Sequence, residues 1–191
     1  AVHDNNPVIF LEHRWLHNVT GHVPEGNYEI PIGRAAVARE GRHITVVSCS
    51  YMVLESLKAA DILNQHGIEA EVVNIRTISP LDESLILESV EKTGHLLVAD
   101  TGWKSFGVSA EIISIVVEKS FHNLKMPPQR VSLPDCPTPT TRALANSYYP
   151  NAANIVSAAL KNLNKNVELT KIKQDIPQFL DVPDPSFSGP F

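Results

Sequence analysis

Apolar β-branched runs separated by amphipathic stretches recur along this chain, and the segment Val72–Asp100 (VVNIRTISPLDESLILESVEKTGHLLVAD) shows the unit most plainly. Val72, Val73 and Ile75 form a short buried-strand pattern that stops at Ser79-Pro80. A helix start follows, with Asp82 or Ser79 as candidate cap and Leu85, Ile86 and Val90 on one face, before Gly94 ends it. A second apolar run, His95–Asp100, comes next. Strand, helix and strand in this order imply a parallel sheet buried on both faces.

The neighbouring chain repeats the rhythm. Strands are predicted at Ala35–Arg39, Ile44–Cys49, Glu71–Arg76, His95–Asp100 and Gln129–Leu133. A helix is predicted over Met52–Gln65, closed by His66-Gly67. After a glycine-bounded loop, Thr101–Gly107, a helix runs to about Phe121. Its apolar positions Ile112, Ile113, Val116 and Val117 are dense enough to predict that it is largely buried. The last helix, Asn151–Leu163, has Asn151 as its cap and Ile155, Ala158 and Ala159 facing inward. Five strands and four helices make an α/β fold, a three-layer α/β/α sandwich over residues 30–165, with right-handed crossovers. Residues 1–29 divide into a strand-like run, Pro7–Glu12, and a polar, His-rich connection. Residues 166–191 read as a proline-punctuated tail.

Composition narrows the options. A chain of 191 residues fits one domain, and 43% hydrophobic with 19% charged residues is the balance of a protein with a real core. The net charge is −5 and the Lys and Arg residues form no block, which argues against nucleic acid or an anionic membrane as partner. No apolar run approaches the ~18 residues of a membrane span, and the first residues lack the pattern of a secretory leader. Cys49 and Cys136 suit reduced thiols of a cytosol-like compartment. Asn18-Val19-Thr20 matches a glycosylation acceptor with nothing else to support it.

Candidate chemistry is sparse. His13 and His17 are four apart and His22 follows, but no further ligand at metal spacing completes a set, so a solvated connection is expected. Gly102–Gly107 has phosphate-loop spacing, yet Val108 stands where Lys is needed, ahead of Ser109, so the charge that would hold a triphosphate is absent; the glycines serve a tight turn or a small-anion site. Ser50, Thr77 and Gly102 are the rim candidates for such an anion. No nucleophile elbow surrounds Ser48, Cys49 and Ser50, and Cys49 is expected in the core. Arg76 either reaches a ligand carboxylate or pairs with Asp82 or Glu83. Trp103 and Phe106 either anchor an interface or fold back onto the sheet. No residue is assigned a catalytic, cofactor-binding or metal-binding role.

NPVIFLEH, IPIGRAAVAREGRHITVVSCSYMVLESLKAADIL, HGIEAEVVNIRTISPLDESLILESVEKTGHLLVAD, FGVSAEI and PDCPTPTTRAL, in that order, resemble the C-terminal half of the β-subunit of the thiamine-diphosphate-dependent 2-oxo acid dehydrogenase first component, as in pyruvate dehydrogenase. The same domain type closes transketolase and deoxyxylulose-phosphate synthase, and the R-T-I-S-P-L-D segment favours the dehydrogenase branch. The resemblance implies a five-stranded sheet whose first strand is antiparallel, and a role in assembly. Implied partners are a second copy, an α-subunit and the acyltransferase core; the implied compartment is the cytoplasm or the mitochondrial matrix. The parent enzyme would decarboxylate a 2-oxo acid and acylate lipoamide, with thiamine diphosphate and magnesium held outside these residues. Pro7–His13 then reads as the last strand of a pyrimidine-binding domain, so that this fragment alone is expected to be inactive and dimeric. Ser109 departs from the family's usual glycine, and the tail extends past the family's usual end. The competing expectations are a transketolase-like or synthase-like C-terminal domain, or a stand-alone module for small anions.

Overall fold

The computed structural model describes residues 1–17 and 19–165; Asn18 of the acceptor triplet and the expected tail 166–191 lie outside them. The strands are β1 (Ala36–Arg39), β2 (Ile44–Ser48), β3 (Ala70–Asn74), β4 (Leu96–Trp103) and β5 (Gln129–Leu133). The helices are α1 (Tyr51–Gln65), α2 (Glu83–Thr93), α3 (Val108–Ser120), α4 (Arg142–Tyr148) and α5 (Ala152–Asn162). The sheet order is β1-β3-β2-β4-β5. β1 runs antiparallel to β3 and every other pair is parallel.

β2 explains the layering. All five of its residues are buried, because it lies between two strands and beneath helices on both sides. In register, Val46 faces Val72 of β3 and Leu97 of β4, while Val47 faces Val73 and Val98. Alternation sends the first set, with Ala99 and Val131, against Met52 and Leu63 of α1 and Ile155 and Ala159 of α5. The second set packs on Ile86 and Val90 of α2 and Ile112 and Val116 of α3. Each fully buried Val, Leu, Ile or Met contributes about 1.5–3 kcal/mol relative to exposure.

Local chemistry sets the helix ends. Asp82, not Ser79, caps α2: its carboxylate accepts from Leu85 N–H at 3.5 Å and from Ala35 N–H at 3.0 Å, so one side chain starts the helix and holds the entry to β1. Gly94, left-handed at φ 74°, stops α2. Asn151 and Asn154 bond each other's backbone in a capping box at α5. Glu55 of α1, 5% exposed, also accepts from Ala152 N–H at 2.8 Å, and further takes Tyr51 Oη and Lys58 Nζ.

Buried polar groups at the opposite end of the sheet are likewise paired. Thr45 Oγ1 lies 2.9 Å from both the Ser89 carbonyl and Thr93 Oγ1. Glu71, 1% exposed, is engaged by Ser89, Lys92 and the Gly41 N–H, so its buried charge is matched.

Pro7–Glu12, expected as a strand cut from another domain's sheet, has no ladder partner among the described residues, and Ile9, Phe10 and Leu11 are exposed. Three expectations are corrected. β4 continues through Gly102 to Trp103, since the ladder to β5 skips after Ala99 and resumes at Trp103–Leu133. α3 buries one face only, with Ser109, Ile112, Val116 and Ser120 inward and Val117 exposed, because only the sheet side is covered. The region after Cys136 contains an additional short helix, α4, which seats Ala145 and Tyr148 in the interior.

Gly41 offers a direct check on the Glu71 corner. A β-carbon there would lie 2.3 Å from the Ala70 carbonyl carbon and the Glu71 nitrogen, which are backbone atoms and cannot step aside. Gly41→Ala is expected to lower unfolding free energy by about 2 kcal/mol or more, read from the urea midpoint at unchanged slope.

Candidate functional site

In open α/β sheets ligands bind outside the carboxyl ends of the parallel strands. That rim is built here by the residues after Ser48 of β2 and Asn74 of β3 and by the far end of β4. Its centre is Asp100, 4% exposed. Asp100 Oδ1 accepts from Gly102 N–H at 3.1 Å and Oδ2 from Ser109 N–H at 2.9 Å. Ser109 is the second residue of α3, so the carboxylate sits at the N-terminus of a 13-residue helix. Free amides and the helix dipole make such a terminus attractive to anions. The chain supplies that anion itself.

The other rim candidates are mostly engaged as well. Thr77 Oγ1 accepts from Gly33 N–H at 3.0 Å. Ser50 is exposed in the left-handed region, φ 51°, at the start of α1, and gives no side-chain cap. Two of the three candidates thus have their polar groups committed to internal bonds. Ser109, in place of glycine, is accommodated: fully buried, its hydroxyl lies 3.1 Å from Ser132 Oγ of β5.

Arg76 departs from the expected internal pairing. Asp82 serves α2 and β1, Glu83 pairs with Lys119, and the exposed Arg76 side chain makes no ion pair among the described residues. Trp103 is 58% exposed and Phe106 fully exposed, so neither ring folds back onto the sheet. Phe106 also stands at φ 56°, a region costing a side-chain-bearing residue about 1–2 kcal/mol.

Residues His13 to Tyr51 contain an arrangement that the spacing of the histidines did not disclose. His13 stacks on Tyr51 at 5.3 Å, and Trp15 meets Tyr51 edge-on at 5.1 Å and lies 6.4 Å from Tyr149. The connection is therefore clamped to the start of α1 and the end of α4, and burial lowers the His13 pKa. Trp15, a large aromatic in a polar stretch, was the available signal. His17 Nε2 lies 3.1 Å from Glu12, and no group of three metal-capable side chains occurs among the described residues.

Residues 33–155 match the family model described as transketolase, C-terminal domain. The chain belongs to this family. The β-subunit of acetoin:2,6-dichlorophenolindophenol oxidoreductase from Cupriavidus necator is 42% identical over 163 residues, covering 85% of this chain and 48% of that protein. The mitochondrial pyruvate dehydrogenase E1 component subunit beta of Mus musculus is 41% identical over 169 residues, covering 86% and 47%. The chain thus spans about half the length of the curated relatives it matches. A solved structure titled "Split gene transketolase, inactive beta4 tetramer" superposes with TM-score 0.64 at 28% identity, over 72% of this chain and 44% of that one.

Among the described residues, the turn nearest to a diphosphate cradle, Gly102–Ser109, does not fit that group: the Asp100 carboxylate takes its amides, and like charges there repel. No helix among the described residues is long and apolar enough to cross a membrane.

Two outcomes test the rim. Asp100→Ala frees two amides; it is expected to cost about 1–3 kcal/mol of stability and to make the melting temperature rise with millimolar sulfate more steeply than that of the parent chain, which shows only the general salting effect. Cys49 is half-buried and its thiol pKa is raised, first by burial and then by Asp100. Iodoacetamide at about pH 8 should modify the exposed Cys136 while sparing Cys49, as read by peptide mass.

Proposed function

We propose that this chain acts as the assembly half of a β-subunit in the first component of a thiamine-dependent 2-oxo acid dehydrogenase. The observation that carries the reading is the 41% identity to the pyruvate dehydrogenase subunit across 86% of the chain. In that role the complete enzyme decarboxylates a pyruvate-like 2-oxo acid and passes the acyl group to lipoamide. Thiamine diphosphate, with magnesium, supplies the carbanion chemistry from other domains. Asp100 supports the division of labour, because it makes the rim of this domain electrostatically self-contained.

The domain's own contribution is surface. Trp103 and Phe106 project from the end of β4 and the turn before α3, and exposed aromatics of this kind anchor interfaces. Ile9, Phe10 and Leu11 offer a second apolar stretch, the last strand of a pyrimidine-binding domain in this reading, with residues 13–29 as its connection. Partners are a second copy, an α-subunit and the acyltransferase core, in the cytoplasm or the mitochondrial matrix.

Co-expression of the chain with an α-subunit and the N-terminal half of a related β-subunit tests the proposal. Dye reduction dependent on pyruvate or acetoin is expected from the purified assembly and none from the chain alone. Both substrates are offered because relatives named for each are about equally near, at 42% and 41% identity. Trp103→Ala with Phe106→Ala should weaken assembly at least about tenfold by analytical ultracentrifugation. A chain that assembles with neither subunit, or an assembly indifferent to both rings, would refute the reading.

A further inference from the structure

β5 is an outer strand of the sheet. Beside it, bounded by α5 and the end of α4, lies an open groove of about 590 Å³. Lys104, Arg130 and Lys161 line the groove, and among the described residues no carboxylate does. Arg130 Nη1 donates to the Lys104 carbonyl at 2.7 Å, and none of the three makes an ion pair among the described residues. The nearby carboxylate, Asp135, is taken by the N–H and hydroxyl of Ser105. Three cations thus gather with no ion pair among the described residues, Asp135 lying only near enough to Arg130 and Lys104 to feel their charge, in a chain of net charge −5. Leu133, Tyr149 and Ala158 add apolar surface between them.

We propose that this groove is the docking site for the chain's own acidic segment Asp175–Asp184, DIPQFLDVPD. That segment carries three carboxylates, Asp175, Asp181 and Asp184, and no cation, with Phe179 and Leu180 among them. Charge complementarity is three against three. Reach is sufficient: Lys161, in the last turn of α5, is itself part of the groove, and the nine residues 166–174 span up to about 30 Å when extended. A five-residue strand such as β5 is about 17 Å long.

The contact runs through side chains and does not add a sixth strand. Pro177 and Pro183 have no N–H to donate to a ladder. The crossovers that step toward β5, through α2 and α3, use one face of the sheet, whereas α5 lies with α1 on the other. A parallel strand beyond β5 reached through α5 would therefore be a left-handed crossover, which folds avoid. Docking of this segment screens an outer strand that would otherwise template pairing with another molecule. The proposal stands independently of the dehydrogenase reading.

Zero-length carbodiimide coupling of the full chain, analysed by peptide mass, tests it. Coupling of Asp175, Asp181 or Asp184 to Lys104 or Lys161 within one chain is expected at low salt. It should fall at least about fivefold at about 0.5 M salt, as exposed ionic contacts do. A second arm uses Arg130→Glu with Lys161→Glu, read through Lys104: these should abolish the links, and Asp181→Lys with Asp184→Lys on that background should restore docking, read as protection of β5 amides from hydrogen exchange. Tail carboxylates that couple evenly to Lys58, Lys92 and Lys119, links found only between isotopically distinct copies, or a charge swap without rescue would overturn it.

Discussion

A strand covered on both faces and flanked on both edges leaves none of its residues to solvent, and β2 is in that position, its buried Thr45 hydroxyl bonded within the protein. Its five buried residues oblige the chain to place helices above and below, and the register of β3 and β4 against it distributes Val46 and Val47 to opposite cores. The order of crossovers then follows from handedness. α1 carries the chain to one side of β2 over one face, and α2 and α3 carry it back over the other. The hydrophobic constraint on a single strand thereby decides where the rim, the two outer strands and the projecting loops lie.

Much of this was legible because the local signals agreed with one another. Val72, Val73 and Ile75 ended at a Ser-Pro, Asp82 followed at capping distance, and Gly94 closed the helix where the pattern stopped. What escaped the sequence depended on partners distant along the chain. β4 runs past Asp100 only because Leu133 returns beside Trp103. The helix α4 was hidden behind Pro137 and Pro139, whose turn chemistry outweighed a run of only seven residues. Pro7–Glu12 has the composition of a strand, but composition cannot supply the neighbour that a ladder requires.

The site was legible in outline and not in its chemistry. Gly102 and Gly107 drew attention to the turn before α3, yet the group that takes its amides is Asp100, which reads in sequence as the polar end of an apolar strand. Its role emerges only when Gly102 and Ser109 fold back to present their amides. A family whose members resemble subunits of multi-chain enzymes is consistent with a rim that satisfies itself and leaves its aromatic residues outward. Arg76 shows the complementary limit: nearness in sequence to Asp82 and Glu83 created an apparent ion pair that tertiary structure assigned elsewhere.

Glu55 binds the beginning of this domain to its end. One buried carboxylate accepts the backbone amide that opens α5, a residue 97 positions further on. Were the final helix to detach, a charge would remain inside the protein with less to neutralise it, and a helix start would lose an acceptor. Peeling α5 away is therefore costly at α1 too, and the two are expected to unfold together, so that a lesion in one is felt by the other.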